Sequence, residues 1–173
     1  YYGGLPQPQI LKGAAQPFSR FSYEKFIEMT GEIPVYKLHG SLNWSLSGQS
    51  VVAYQDMRPV FRHGGNAAIV PPTPEKQVEP WLAPIWNEAA QTLRDSNAWV
   101  VCGYSAPEYD TEVLNLLRRN GARKSLTVLL SSPDSRSGAA HWKEIVPGAT
   151  VIPLPGLPSG IQAISEHLNS LIM

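Results

Sequence analysis

His39, Ser41 and Asn43 stand together in the stretch Val35-Tyr36-Lys37-Leu38-His39-Gly40-Ser41-Leu42-Asn43-Trp44. An imidazole changes its protonation near neutral pH, which suits it to acid–base work. Ser41 and Asn43 add hydrogen-bonding groups beside it. Gly40 lacks the Cβ that disfavours left-handed backbone, so the chain can turn sharply there or approach a ligand closely. The apolar run before the histidine is long enough for a strand. A strand that ends in His-Gly-Ser would present the imidazole to a cleft. For an isolated His-Gly pair the commoner alternative is a histidine that satisfies a loop carbonyl.

A second group of candidates lies in Gly103-Tyr104-Ser105-Ala106-Pro107, directly after the apolar run Ala98–Cys102. A glycine after a buried strand allows close backbone approach, and Ser105 adds a hydroxyl. A helix opening near Asp110 would point its positive end toward this loop, which favours a phosphate or a ribose. Asp110 is first of all a helix cap, and a ribose contact is its secondary role. Tyr104 could pack on an adenine or line the core. The same strand–turn–helix pattern also imitates a nucleophile elbow at Ser105, with Asp134 and His167 following in the Ser…Asp…His order of α/β-hydrolases. Pro107 stands where that elbow wants a second glycine, and His167 falls inside a helix.

The elements that must position these groups follow from periodicity. Residues 1–20 read as extended loop and 22–29 as a short helix, with short strands at Ser50–Tyr54 and Pro59–Phe61. The turn His63-Gly64-Gly65-Asn66 and a stiff, proline-rich extended segment, Ile69–Pro74, come next. Trp81, Leu82, Ile85, Trp86, Ala89, Ala90 and Leu93 share one face at helical spacing, which predicts a helix over 80–96. Ala98–Cys102 should be a strand covered on both faces. The pattern continues with a helix from Asp110 to Arg119 closed by Asn120-Gly121, a strand at Leu126–Leu130, a helix over 138–146 and a strand at Thr150–Ile152. A capping box at Ser159–Gln162 then opens a last helix, with an apolar stripe of Ile161, Ile164, Leu168 and Leu171. Alternating helices and strands imply right-handed crossovers onto a parallel sheet, whose ligands sit beyond the carboxyl ends of the strands. Three loops meet that condition: 103–107, Ser131-Ser132-Pro133-Asp134, and Pro153-Leu154-Pro155-Gly156.

The chain has 173 residues, enough for one domain with a real core. Acidic and basic residues balance at 14 each. The nearest thing to a basic patch, Arg118, Arg119, Arg123 and Lys124, reads as a solvated helix end, so nucleic acid is not an expected partner. Cys102 is the only cysteine, which excludes an intramolecular disulfide and a tetrathiolate zinc site. His63 reads as solvated and His141 as a helix-surface residue. With no apolar run of membrane length and no visible signal peptide, a cytoplasmic protein is the default expectation.

Lys37-Leu38-His39-Gly40-Ser41-Leu42-Asn43-Trp44, then Pro71-Pro72-Thr73, then Gly103-Tyr104-Ser105-Ala106-Pro107-Glu108-Tyr109-Asp110 resemble the sirtuin-like family of bacterial NAD-binding domains, zinc-free relatives of the sirtuin deacylases. The resemblance runs over residues 33–153. It implies an α/β fold: the C-terminal half of a Rossmann-like, doubly wound parallel sheet (80–173), preceded by a loop-rich, short-strand segment (1–79), all within one NAD-binding domain. His39 would match the family's catalytic histidine. Gly40 and Ser41 beside it, and Gly103, Tyr104, Ser105 and Asp110, would contact the dinucleotide. Ser132 stands where the family usually has an asparagine that holds the adenosine ribose. The ligand implied is NAD+ or an ADP-ribose-type nucleotide, with no zinc. The reaction implied is hydrolysis of NAD+ to nicotinamide and ADP-ribose, in bacterial defence against phage. The family's glycine-rich phosphate turn and its Thr-x-Asn-Tyr-Asp-like segment would both precede residue 1. A first half supplied in cis or by another chain is therefore expected, and a second copy or a defence partner is a further possibility. A non-catalytic NAD+ sensor remains an alternative, as does the serine hydrolase.

Overall fold

The computed structural model describes residues 35–47, 50–53, 57–62, 66–72 and 78–172. The loop expected over 1–20, the helix at 22–29 and the His63 turn lie outside these residues. The chain divides into two compact units, and the division falls inside one helix, between Ala89 and Ala90.

The first unit is built on a three-stranded antiparallel sheet with order β2-β1-β3. Its strands are β1 (Gly40–Ser47), β2 (Ser50–Ala53) and β3 (Ala67–Ile69). β1 and β2 form a hairpin, with Trp44 opposite Ala53 and Ser47 opposite Ser50. The β1–β3 pairing shifts register between Gly40 and Ser45, so β1 carries a bulge at Ser41–Trp44. Trp44, Val51, Val60 and Ala68 are buried here. Two expectations change. The strand lies after His39 and not before it: Val35–Lys37 form no regular element, and Leu38–His39 make a turn. The reason is local. The Gly40 amide donates to the Lys37 carbonyl (3.0 Å) and Gly40 adopts φ +76°, which reverses the chain before pairing begins. In addition, Pro59–Phe61 is helical, within α1 (Arg58–Arg62). A proline near the start of a helix loses only an amide that would have had no intrahelical acceptor.

Helix α2 (Ala83–Asp95) follows, and its buried face is Ile85, Trp86 and Ala89.

The second unit is a parallel sheet of order β4-β5-β6, made from β4 (Ala98–Cys102), β5 (Thr127–Ser131) and β6 (Thr150–Leu154). α3 (Thr111–Gly121) and α4 (Ser135–Ile145) are the crossovers, and α5 (Gly160–Ile172) follows β6. Partnered residues of neighbouring strands point to the same face, so Trp99, Val128 and Val151 share one face with Leu130. Gly121 of α3 abuts Trp99, and Gly138 of α4 abuts Leu130, so both crossovers cover that face. Gly160 packs against the Ser131 hydroxyl, which places the start of α5 on the opposite face. Helices therefore flank the sheet on both sides. Leu126, Val128, Leu129, Ile145 and Val146 are wholly buried between them.

The expectation that β4 is covered on both faces is corrected. Trp99 is buried, but Val100 is 42% exposed and Cys102 is exposed, because α5 reaches only the β5–β6 side of that face. The α5 stripe is likewise less buried than its spacing suggests. Ile164 and Leu168 are half-buried, whereas Ile161 and Leu171 are 59% and 52% exposed. Asn120-Gly121 does not close α3 by a left-handed turn. Gly121 is the last helical residue, kept side-chain-free by Trp99 and Val146, and Ala122 is the cap. β6 runs two residues longer than expected and takes in Pro153, which an edge strand tolerates. α4 opens at Ser135. Arg123 is not part of a solvated patch. Its guanidinium donates to the carbonyls of Leu93, Arg94, Ser96 and Asn120, closing the ends of α2 and α3 with a delocalised cation. Among the described residues no helix is long and apolar enough to cross a membrane.

Candidate functional site

The candidate residues fall into the two units, and each group has its own geometry. In the first unit, His39 is half-buried in the turn that precedes β1. Its carbonyl accepts the Val70 amide at 2.8 Å, which ties the turn to the end of β3. Trp86 fixes the same turn from α2: its indole N–H donates to the Leu38 carbonyl at 2.8 Å. The His39 and Trp86 rings meet edge to face, with centroids 6.3 Å apart. Gly40 has no room for a side chain. A Cβ there would run into the Ala68 carbonyl and stand 3.0 Å from Trp81.

The bulge of β1 carries a polar relay beside this turn. The Lys37 ammonium donates to the Ser41 hydroxyl at 2.8 Å, and Ser41 donates to the Asn43 side-chain carbonyl at 2.6 Å. Lys37 also stands 5.7 Å from the centre of the Trp44 ring, and burial lowers its pKa from the ordinary value. The Trp44 indole N–H is buried and has no partner among the described residues, an uncommon state for a buried donor. Ser41 therefore lies two residues after His39 with its hydroxyl already engaged on both sides. Lys37 was not among the expected site residues. Its link to Ser41 depends on the turn and the bulge, which residue spacing does not reveal.

In the second unit, the loop after β4 leaves the carboxyl end of a parallel strand. Gly103 adopts φ +67°, with nothing within 4 Å of where a Cβ would stand, and both it and Ser105 are exposed. The Gly103 amide donates to the Ser131 carbonyl at 3.4 Å, and the Ser131 hydroxyl donates to the Pro155 carbonyl at 2.8 Å. The three expected loops thus meet at one end of the sheet. Tyr104 and Asp110 spend polar groups on each other, the phenol donating to the carboxylate at 2.8 Å. The Tyr104 ring packs edge to face on Trp142, and burial followed by the bond to Asp110 pushes its pKa up. Asp110 occupies the N-cap position of α3 without a side-chain cap bond. Both residues brace the loop from below. The Ser132 hydroxyl accepts the Asp134 amide at 3.1 Å at the start of α4.

His141, expected on a helix surface, is half-buried and reaches this loop. Its Nε2 lies 2.9 Å from the Ala106 carbonyl. Ala106 is wholly buried and adopts φ +54°. The contact joins residues 35 apart in the chain, and no local pattern announces it. A nucleophile elbow places its serine on the strained residue of the turn. Here the positive φ values fall on Gly103 and Ala106, and among the described residues no hydrogen bond joins Ser105 to Asp134 or His167.

Among the described residues no group of three or more His, Cys, Asp or Glu side chains is gathered as for a metal ion. Comparison with protein-family models, with curated proteins and with solved structures finds no match to this chain.

Proposed function

We propose that this chain is a sirtuin-like NAD+-binding domain that cleaves NAD+ to nicotinamide and ADP-ribose, with the β4–β6 sheet as part of a Rossmann-like, doubly wound fold. The observation that carries the reading is the turn after β4. An exposed glycine with open space at its Cβ position and an exposed serine two residues on sit at the carboxyl end of a parallel strand, just before α3. A diphosphate and its ribose need this kind of close, side-chain-free backbone approach. The second support is the motif resemblance that joins this turn to His39-Gly40.

In this reading Gly103 and Ser105 hold the dinucleotide, Tyr104 and Asp110 keep their loop in shape, and Ser132 lies at the adjoining loop. Breaking the nicotinamide–ribose bond develops positive charge on the ribose. Nicotinamide leaves with the bonding electrons as a neutral ring, and water adds to the ribose carbon and releases its second proton to solvent, while His39 holds the proton of a ribose hydroxyl and returns it once the product forms. Gly40 and Ser41 shape the backbone beside the imidazole. The setting that the resemblance implies is depletion of the cell's cofactor during antiphage defence.

Nicotinamide release from NAD+ tests the proposal. Wild-type protein should turn over, and His39→Ala should lose roughly 10²–10⁴-fold, the usual contribution of a positioned acid–base group. Equal turnover by the two removes the role of His39. A second reading, a module that binds NAD+ or ADP-ribose without consuming it, is favoured by the bracing of the 103–110 loop from within the core. Calorimetry with intact nucleotide recovered afterwards would select it.

A further inference from the structure

We infer that His141 is the positioning residue of the 103–107 loop, holding it in the one conformation that offers Gly103 and Ser105 to a diphosphate- or ribose-bearing ligand. The ligand rests on the NAD+ reading above; the bracing role does not.

Ala106 has a Cβ, yet it occupies the left-handed region. It also precedes Pro107, and a residue before proline ordinarily adopts extended backbone. Such a residue persists only where its surroundings over-determine it, and this kind of strain gathers at ligand clamps. Three surroundings do so here. The methyl group is wholly buried. The Asp110 amide donates to the Pro107 carbonyl at 3.0 Å, closing the turn on the far side. The Ala106 carbonyl receives the His141 ring nitrogen at 2.9 Å. Because a carbonyl only accepts, the imidazole donates through Nε2–H, and it does so in both its neutral and its protonated state. His141 stands on α4 directly before Trp142, and the Trp142 ring meets Tyr104 of the same loop. Adjacent residues of one rigid helix thus grip the loop at Tyr104 and at Ala106, and exposed Ser105 lies between the two grips.

Two variants of the full chain separate positioning from general packing. His141→Leu removes the donor, whereas the side-chain amide of His141→Gln can restore one at similar reach. Exchange of the Gly103 and Asp110 amides, hydrogen-bonded at the two ends of the loop, should quicken about fivefold to tenfold in the leucine variant, the equivalent of one lost hydrogen bond, and return close to wild type in the glutamine variant. Exchange in β5 and β6 should not change in either. NAD+ titrated by calorimetry should bind about fivefold or more weakly to His141→Leu and within about twofold of wild type to His141→Gln. Unchanged loop exchange in His141→Leu overturns the assignment. So does a His141→Gln variant that exchanges as fast as the leucine one, or a slackening spread evenly over the sheet. If wild-type protein fails to bind NAD+, the nucleotide reading falls, and the exchange comparison alone decides the role of His141.

Discussion

His39 precedes its strand, whereas Gly103 follows its own. The first is held from outside the sheet. The Val70 amide, the Trp86 indole and a positive-φ glycine fix a turn at the start of an antiparallel strand, and a bulge next to it aims Lys37, Ser41 and Asn43 at one another. The second is held from beneath. Its loop rises from a parallel sheet and is gripped at Tyr104 by Asp110 and Trp142 and at Ala106 by His141, from the helices that cover that sheet. One group depends on main-chain geometry and the other on buried side chains, so substitutions should damage them differently.

Two glycines make the sharpest contrast. Gly121→Ala would drive a methyl group into Val146 and to 2.7 Å from the Trp99 ring, with its backbone otherwise ordinary. Overpacking of this kind costs about 1–3 kcal/mol, read as a lower denaturation midpoint of the second unit. Gly40→Ala meets a backbone carbonyl that cannot rotate aside and also takes on about 1–2 kcal/mol of left-handed strain, so its loss should be the larger. A Gly40→Ala protein as stable as wild type would refute the rigid turn at His39. Arg123→Ala comes next, since it strips a charged donor from the ends of two helices. About 1.5–3 kcal/mol is expected in chemical denaturation, with Arg123→Lys recovering only part because one ammonium cannot reach four carbonyls.

The smallest effects carry opposite signs in alkali. Tyr104 keeps its proton in the folded state above the ordinary phenol value of 10.0, where the unfolded chain has lost it. Its contribution is therefore complete below that pH and declines as pH rises through it. Lys37 is the reverse. Its folded pKa lies below 10.5, so between the two values the unfolded chain binds the extra proton and stability rises with pH. Tyr104→Phe should flatten the alkaline loss and cost about 1 kcal/mol or less near neutrality. Lys37→Met should abolish the rise just below pH 10.5. Changes in slope from wild type of the same sign in both variants would contradict the burial assigned to one of them.

The parallel unit was largely legible in the sequence, and the antiparallel unit only in its β2 strand, expected at Ser50–Tyr54 and found at Ser50–Ala53. Helix α2 and the three parallel strands follow from helical spacing and from apolar runs, most clearly Leu126–Leu130, where burial on two faces leaves a signal in nearly every residue. The half-exposed strands of the first unit alternate less clearly, and a bulge at Ser41–Trp44 breaks the period, so the strand was expected on the wrong side of His39. The helical Pro59 lies in an element of only five residues, too short for any period to register. Of the candidate residues, the position of Gly103 and Ser105 in an exposed turn was legible because a glycine after an apolar run marks where the strand ends. His141 and Arg123 were not, since their partners lie 27 or more residues away in the chain or depend on where two helices end.

The central proposal is that the turn after β4 holds the dinucleotide. Titrating NAD+ into isotope-labelled His39→Ala protein, in which it should survive uncleaved, and following the amide resonances of Gly103 and Ser105 puts this to the test. The expected result is that both shift together with one dissociation constant. Resonances of Gly103 and Ser105 that stay in place at saturating NAD+ would contradict it.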